Sequence, residues 1–156
     1  MTAPNTYVGT TDIDAGTLEA ANASGSATGT GPVYVKSGAT LAGGAAASLL
    51  SSSGAQGLVA GRTDLSAGGF ISPGAVAGGA SGSVGVLSLG ALTINGGTLI
   101  VMGQNVLAAN PVVLNGGLLD FRTTATVTFQ ALELKGSLLP ASLLEEVSKF
   151  NRPKEL

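Results

Sequence analysis

The chain of 156 residues contains no cysteine, no histidine and no tryptophan. Without cysteine there is no disulfide framework and no thiolate chemistry. Without histidine the usual general base near neutral pH and the commonest metal ligand are both missing. Aromatic residues are only 4% of the chain, and the two tyrosines, Tyr7 and Tyr34, make no platform for stacking a sugar. Charge is also scarce, with 7 basic and 9 acidic residues and a net of −2. Eight of these 16 lie in the last 24 residues, which leaves the body nearly uncharged. That excludes the basic stripe needed to meet nucleic-acid phosphates and the polybasic patch that binds anionic membranes. No run approaches the ~18 apolar residues of a spanning helix. Residues Met1 to Asn5 lack the basic and apolar regions of a secretion signal. The first repeat opens almost at once, so the chain is expected to be an internal piece of a longer protein given a start Met.

Glycine is abundant instead: 25 residues, over twice the usual share of about 7%. Hydrophobic content is 44%, and Val, Leu and Ile recur in register, unlike a disordered polar segment. The clearest register runs from Leu92 to Leu139. A shift of 20 residues carries Leu92 onto Val112 and then Leu132, and Ile94 onto Leu114 and then Leu134. Asn95-Gly96 falls on Asn115-Gly116 and then Lys135-Gly136, and Leu99 on Leu119 and then Leu139. A fixed period of this length marks a stacked architecture with one supersecondary unit per turn. The Asn-Gly pairs supply turn residues at positive φ. Such pairs also signal β-hairpins, so an antiparallel meander is the rival fold. The 20-residue register argues for stacking, since each coil of a solenoid must match the one below. Each coil adds about 4.8 Å, and six or so give a rod of roughly 30 Å.

Earlier residues carry the same module less regularly. Ile13 alternates with Asp12 and Asp14, Ala15-Gly16 breaks the strand, and Leu18 resumes it. Residues 21–31 form a turn-rich connection. Val33 and Val35 then alternate with Tyr34 and Lys36, Ser37-Gly38 breaks, and Thr40-Leu41 resumes. Gly38 to Gly96 is 58 residues, close to three further turns, so residues 42–83 read as two irregular coils with looser loops. Ala45 to Leu50 has helical propensity, but the flanking glycines argue against a long helix. At the other end, Ser142-x-x-Glu145 reads as a capping box. Leu143, Leu144, Val147 and Phe150 recur at helical spacing. A short amphipathic helix is expected from about Ser142 to Phe150, lying over the last coil. The division is thus a solenoid over 1–139 and a helical cap or tail over 140–156.

The order of motifs resembles a known repeat. Asn5-Thr6-Tyr7-Val8-Gly9-Thr10-Thr11 leads to Ala15-Gly16-Thr17-Leu18, then to Gly25-Ser26-Ala27-Thr28-Gly29-Thr30-Gly31 and Ser37-Gly38-Ala39-Thr40-Leu41-Ala42-Gly43. Ile71-Ser72-Pro73-Gly74, Gly85-Val86-Leu87 and Leu92-Thr93-Ile94 continue it. This is similar to the autotransporter-associated β-strand repeat of bacterial surface-protein passenger domains. The likeness covers roughly residues 5–100, and 101–139 by period only; the tail from Pro140 has no counterpart in it. It implies an all-β, right-handed parallel β-helix, export, and a place at or beyond the bacterial outer membrane.

Some parallel β-helices cleave acidic polysaccharides, using clustered carboxylates that often hold Ca²⁺ and a basic residue. Asp12 and Asp14 are the one close acidic pair in the body, about 7 Å apart on one strand face. They are read as solvated outward residues beside an inward Ile13. Asp120 with Arg122, and Arg62 with Asp64, are read as surface ion pairs. Thr124, Thr126 and Thr128 line one strand face, but the residues 20 earlier are Gln104, Val106 and Ala108, so no ice-binding ladder extends across coils. No phosphate-cradling glycine motif opens a helix, and no serine has a matched base. No catalytic, cofactor-binding or metal-binding residue is therefore assigned. The expectation is a non-enzymatic stalk or adhesin passenger segment outside the cell. Its expected partners are other copies of itself, neighbouring repeats of a longer chain, or host and surface glycans. The alternatives are a self-assembling, fibre-forming solenoid and, behind it, a polysaccharide-acting β-helix.

Overall fold

A computed structural model describes residues 1–22, 24–45, 57–73, 85–102, 106–109, 111–122 and 132–135. Among these, all regular structure is β. The twelve strands are β1 (Thr11–Ile13), β2 (Gly16–Ala20), β3 (Val33–Val35), β4 (Ala39–Ala45), β5 (Gly57–Ser66), β6 (Phe70–Ser72), β7 (Gly85–Asn95), β8 (Thr98–Met102), β9 (Val106–Ala109), β10 (Val112–Leu114), β11 (Leu118–Arg122) and β12 (Leu132–Leu134). The pairing is parallel apart from a short antiparallel contact of Gly44 and Ala45 with Val86 and Gly85, and an isolated Ser66–Gly96 bridge.

Two parallel sheets result. In the first, Ile13 pairs with Val35, Val35 with Leu65, Leu65 with Ile94, Ile94 with Leu114, and Leu114 with Leu134. This is a column of six rungs. In the second, Leu18 pairs with Leu41, Leu41 with Ile71, Ile71 with Leu99, and Leu99 with Leu119. The hairpin reading of the Asn-Gly pairs is excluded, because β7, β10 and β12 run in the same direction. The pairs instead turn the chain from one sheet to the other, with Gly96 at φ 92° and Gly116 at φ 83°. Gly16, Gly38 and Gly68 occupy the same turn in the lower rungs, also at positive φ.

The core lies between the sheets. Val35, Leu65 and Ile94 from the first, and Leu41, Ile71 and Leu99 from the second, are fully buried. Period-2 alternation explains this: along β5 buried positions alternate with intermediate or exposed ones, so every second residue faces the interior. At about 25 cal/mol per Å² of apolar surface, each such Leu or Ile contributes roughly 1.5–3 kcal/mol.

A third line of chain stacks beside the two sheets. The first part of β5 pairs with the first part of β7, which pairs with β9. Beneath β5 lies the segment read from sequence as a turn-rich connection. It is a packed layer: Asn22, Ala27 and Thr28 are fully buried. Asn22 Oδ1 accepts from Leu58 N–H at 3.1 Å, and Ser26 Oγ accepts from Ala60 N–H at 3.0 Å. Side chains thus satisfy β5 backbone donors where ladder partners are missing. Below it again, Asn5 N–H donates to Ser26 O at 2.8 Å and Thr30 N–H to Tyr7 O at 3.0 Å. At the corner between this layer and the first sheet sit Gly31 and Gly61. A Cβ on Gly61 would run into the Gly31 carbonyl, and one on Gly31 into the Gly9 carbonyl. No residue but glycine fits so close a backbone approach.

One expectation is corrected. The 58 residues from Gly38 to Gly96 make two steps, not three, because Gly68 occupies the only intervening turn of that column. The rung register is kept while the connections lengthen, and a bulge between Val59 and Arg62 absorbs one residue against β7. The irregular stretch therefore adds one rung to each sheet, where two coils were expected. The helix expected over Ser142 to Phe150, the Leu139 rung, the Ala46–Leu50 segment and the Thr124–Thr128 strand face lie outside the described residues.

Candidate functional site

Five charged side chains, Asp12, Asp14, Lys36, Arg62 and Asp64, gather on one face of the first sheet, in its three lowest rungs. Alternation in β1 buries Ile13 and turns Asp12 and Asp14 outward, as the sequence suggests. The next rung brings a partner that sequence reading did not assign. Lys36 follows β3 and stands over β1, with Nζ 2.6 Å from Asp14 Oδ1 and 3.3 Å from Asp12 Oδ1. The position a divalent cation would need between the two carboxylates is thus filled by an ammonium. The hydrogen bond to Asp14, followed by that to Asp12, raises the Lys36 pKa above its ordinary value. All three groups are well exposed, so solvent screens the interaction. The 22-residue step between rungs is the signal that could have placed Lys36 there, since it sets Lys36 over Asp14.

One rung higher, Arg62 and Asp64 form the expected ion pair, Nη2 to Oδ2 at 3.3 Å. Arg62 Nη2 also donates to the Tyr34 hydroxyl at 3.1 Å. That bond, ahead of the Asp64 charge, raises the Arg62 pKa. The guanidinium carbon is 6.0 Å from the Tyr34 ring centroid, at the outer limit of a cation–π contact. Asp64 Oδ2 is buried and has this charge contact but no aligned hydrogen bond. Tyr7 turns its hydroxyl to Thr11 Oγ1 at 2.7 Å. The two tyrosines are thus engaged separately, each with a neighbour of its own.

Asp120 pairs by register with Ile100 in the second sheet, and the Arg122 side chain lies outside the described residues. Among the described residues no group of three or more His, Cys, Asp or Glu side chains could hold a metal ion, and no helix is long and apolar enough to cross a membrane. The described charged groups of this face therefore stand as a solvent-exposed lysine shared by two aspartates and an arginine paired with a partly buried aspartate. The chain matches no family model, no curated protein and no solved structure.

Proposed function

We propose that this chain is a non-enzymatic structural module, a right-handed parallel β-helix of about six coils that serves as a stalk or adhesin passenger segment of a bacterial surface protein. The observation that carries the reading is the six-rung column from Ile13 to Leu134, in which each rung hydrogen-bonds to the next. Stacked parallel strands have nearest-neighbour stability and make a rod whose length grows with the number of repeats. The handedness follows from the strong preference for right-handed crossovers between parallel strands of one sheet. The charge pairs fit a quiet surface: each acid named on the outer face already has a cation beside it. The surface location rests on the motif order shared with the autotransporter-associated β-strand repeat. Adhesion to glycans or to neighbouring repeats is the associated role.

Displaying the chain on an outer-membrane carrier, with an epitope at its outer end, tests this. The epitope should move away from the membrane by about 4.8 Å per coil relative to the carrier alone. An epitope that stays at the carrier's height, or turnover of an acidic polysaccharide, would overturn the reading. Fibres of end-to-end copies would replace it with self-assembly.

A further inference from the structure

Residues 22–24 spell a modification signal. Asn22-Ala23-Ser24 is the chain's single Asn-x-Ser/Thr sequence, the acceptor pattern for an N-linked oligosaccharide. Such acceptors ordinarily stand on surface loops, where a bulky glycan meets only water. Here the fold splits the pattern. Ser24 is exposed, but Asn22 is fully buried.

Both polar atoms of the Asn22 amide are occupied. Oδ1 accepts from Leu58 N–H at 3.1 Å. Nδ2 donates to Gly25 O, with Ser24 O at 3.3 Å and Leu58 O at 3.4 Å as further acceptors. The amide thus stands in for a strand's peptide group, bonding both the N–H and the C=O of Leu58. Ala27 N–H donates to the same carbonyl at 2.7 Å. Stacked layers of chain lie about 4.8 Å apart, a gap that a sugar ring on Nδ2 cannot share.

We propose that Asn22 is an N-glycosylation site open only in the unfolded chain, where transfer and closure of the layer under β5 exclude one another. The donor is an oligosaccharide on a polyprenyl diphosphate, and the catalyst an oligosaccharyltransferase. Nδ2 attacks C1 of the first sugar. The C1–N bond forms as the C1–O bond to the diphosphate breaks. The lipid diphosphate leaves with the electron pair, and one Nδ2 proton passes to a base of the transferase. In the folded chain that nitrogen is out of reach and engaged with backbone carbonyls. Once glycosylated, it carries a sugar in place of one hydrogen, Leu58 loses its side-chain partner, and the lower layer stays open. The upper rungs keep their own neighbours, Ile94 with Leu114, and close without it.

The test uses the full chain, a purified oligosaccharyltransferase and its lipid-linked donor, with peptide mass spectrometry to locate the sugar. Chain diluted from urea into the reaction should gain the oligosaccharide at Asn22 about tenfold or more faster than chain folded beforehand. Gly61→Ala, which forces the neighbouring corner against the Gly31 carbonyl, should be modified without urea. Ser24→Ala removes the signal but keeps the Asn22 contacts, which use only the Ser24 backbone. It should melt with the parent and stay unmodified in either state. In the glycosylated chain, hydrogen exchange at Leu58 should rise about tenfold or more. Exchange at Asn115, whose N–H donates to Ile94 O, should stay as in the parent. A folded chain modified as fast as the unfolded one, transfer to neither the urea-diluted nor the G61A chain, or a glycosylated chain with the parent's protection at Leu58 would each overturn the proposal.

Discussion

The upper and lower halves of the two stacked sheets keep the same strand register by different routes. From Leu92 upward the steps between rungs are uniform, Ile94 to Leu114 to Leu134. From Ile13 to Ile94 they are uneven, through Val35 and Leu65. Yet the residue that continues the column is a branched aliphatic at every rung. The fold thus fixes which side chain meets which, and leaves the length of chain between them free. Loop closure explains the tolerance, since doubling a connection costs only about 0.6 kcal/mol. Losing the inward contact costs several times more. The halves also differ in how they satisfy the backbone. Above, β7 and β9 pair strand to strand. Below, Asn22 and Ser26 side chains stand in for a strand under β5.

This comparison can be broken in four ways. The largest effect is expected for Gly61→Ala, which drives a methyl into the Gly31 carbonyl. A loss of about 4 kcal/mol or more in denaturant unfolding is expected, because backbone lies on both sides and neither can yield. Next come Leu65→Ala and Ile94→Ala, one in each half of the same buried column. Each should lose about 3 kcal/mol; a much smaller loss for Leu65 would mean that the uneven half is not built on the column. Asn22→Ala strips an acceptor from the Leu58 N–H and should cost about 1–3 kcal/mol. Hydrogen exchange at Leu58 should rise with it, while exchange in β9 stays unchanged. The smallest effect is expected for Lys36→Ala, a slight fall in melting temperature that disappears at high salt. The Lys36 pKa is raised in the folded chain, so its contribution is full below the unfolded lysine value. It should fade only as pH rises through the raised value, above 10.5. A titration of the melting temperature through the alkaline range checks that sign.

The same comparison explains what could be read from the amino acids alone. Residues 92 to 119 announce their stacking because the step is constant, so a single shift aligns Leu92, Ile94, Asn95 and Leu99 with their partners. Leu65 gave no such sign, because the steps on either side of it are longer than the rest. Residues 21–31 look like a loop because a layer made of Ala, Ser, Thr and Gly has no alternation of large and small side chains. Its burial is visible only once β5 lies over it. On the charged face, the pairs within one strand, such as Arg62 with Asp64, were legible from spacing. Pairs between rungs, such as Lys36 with Asp14, required knowing the step.

The most direct test of the stacked register is disulfide closure between engineered cysteines, for which the chain has no competing cysteine. Thr93 with Val113, Val113 with Glu133, and Ile100 with Asp120 are register partners on parallel strands. Neighbouring strands about 4.8 Å apart bring such pairs within bridging distance. All three double-cysteine variants should close on mild oxidation, and Thr93 with Leu114, one residue out of register, should not. Closure of the offset pair, or of only one of the three, would contradict parallel stacking.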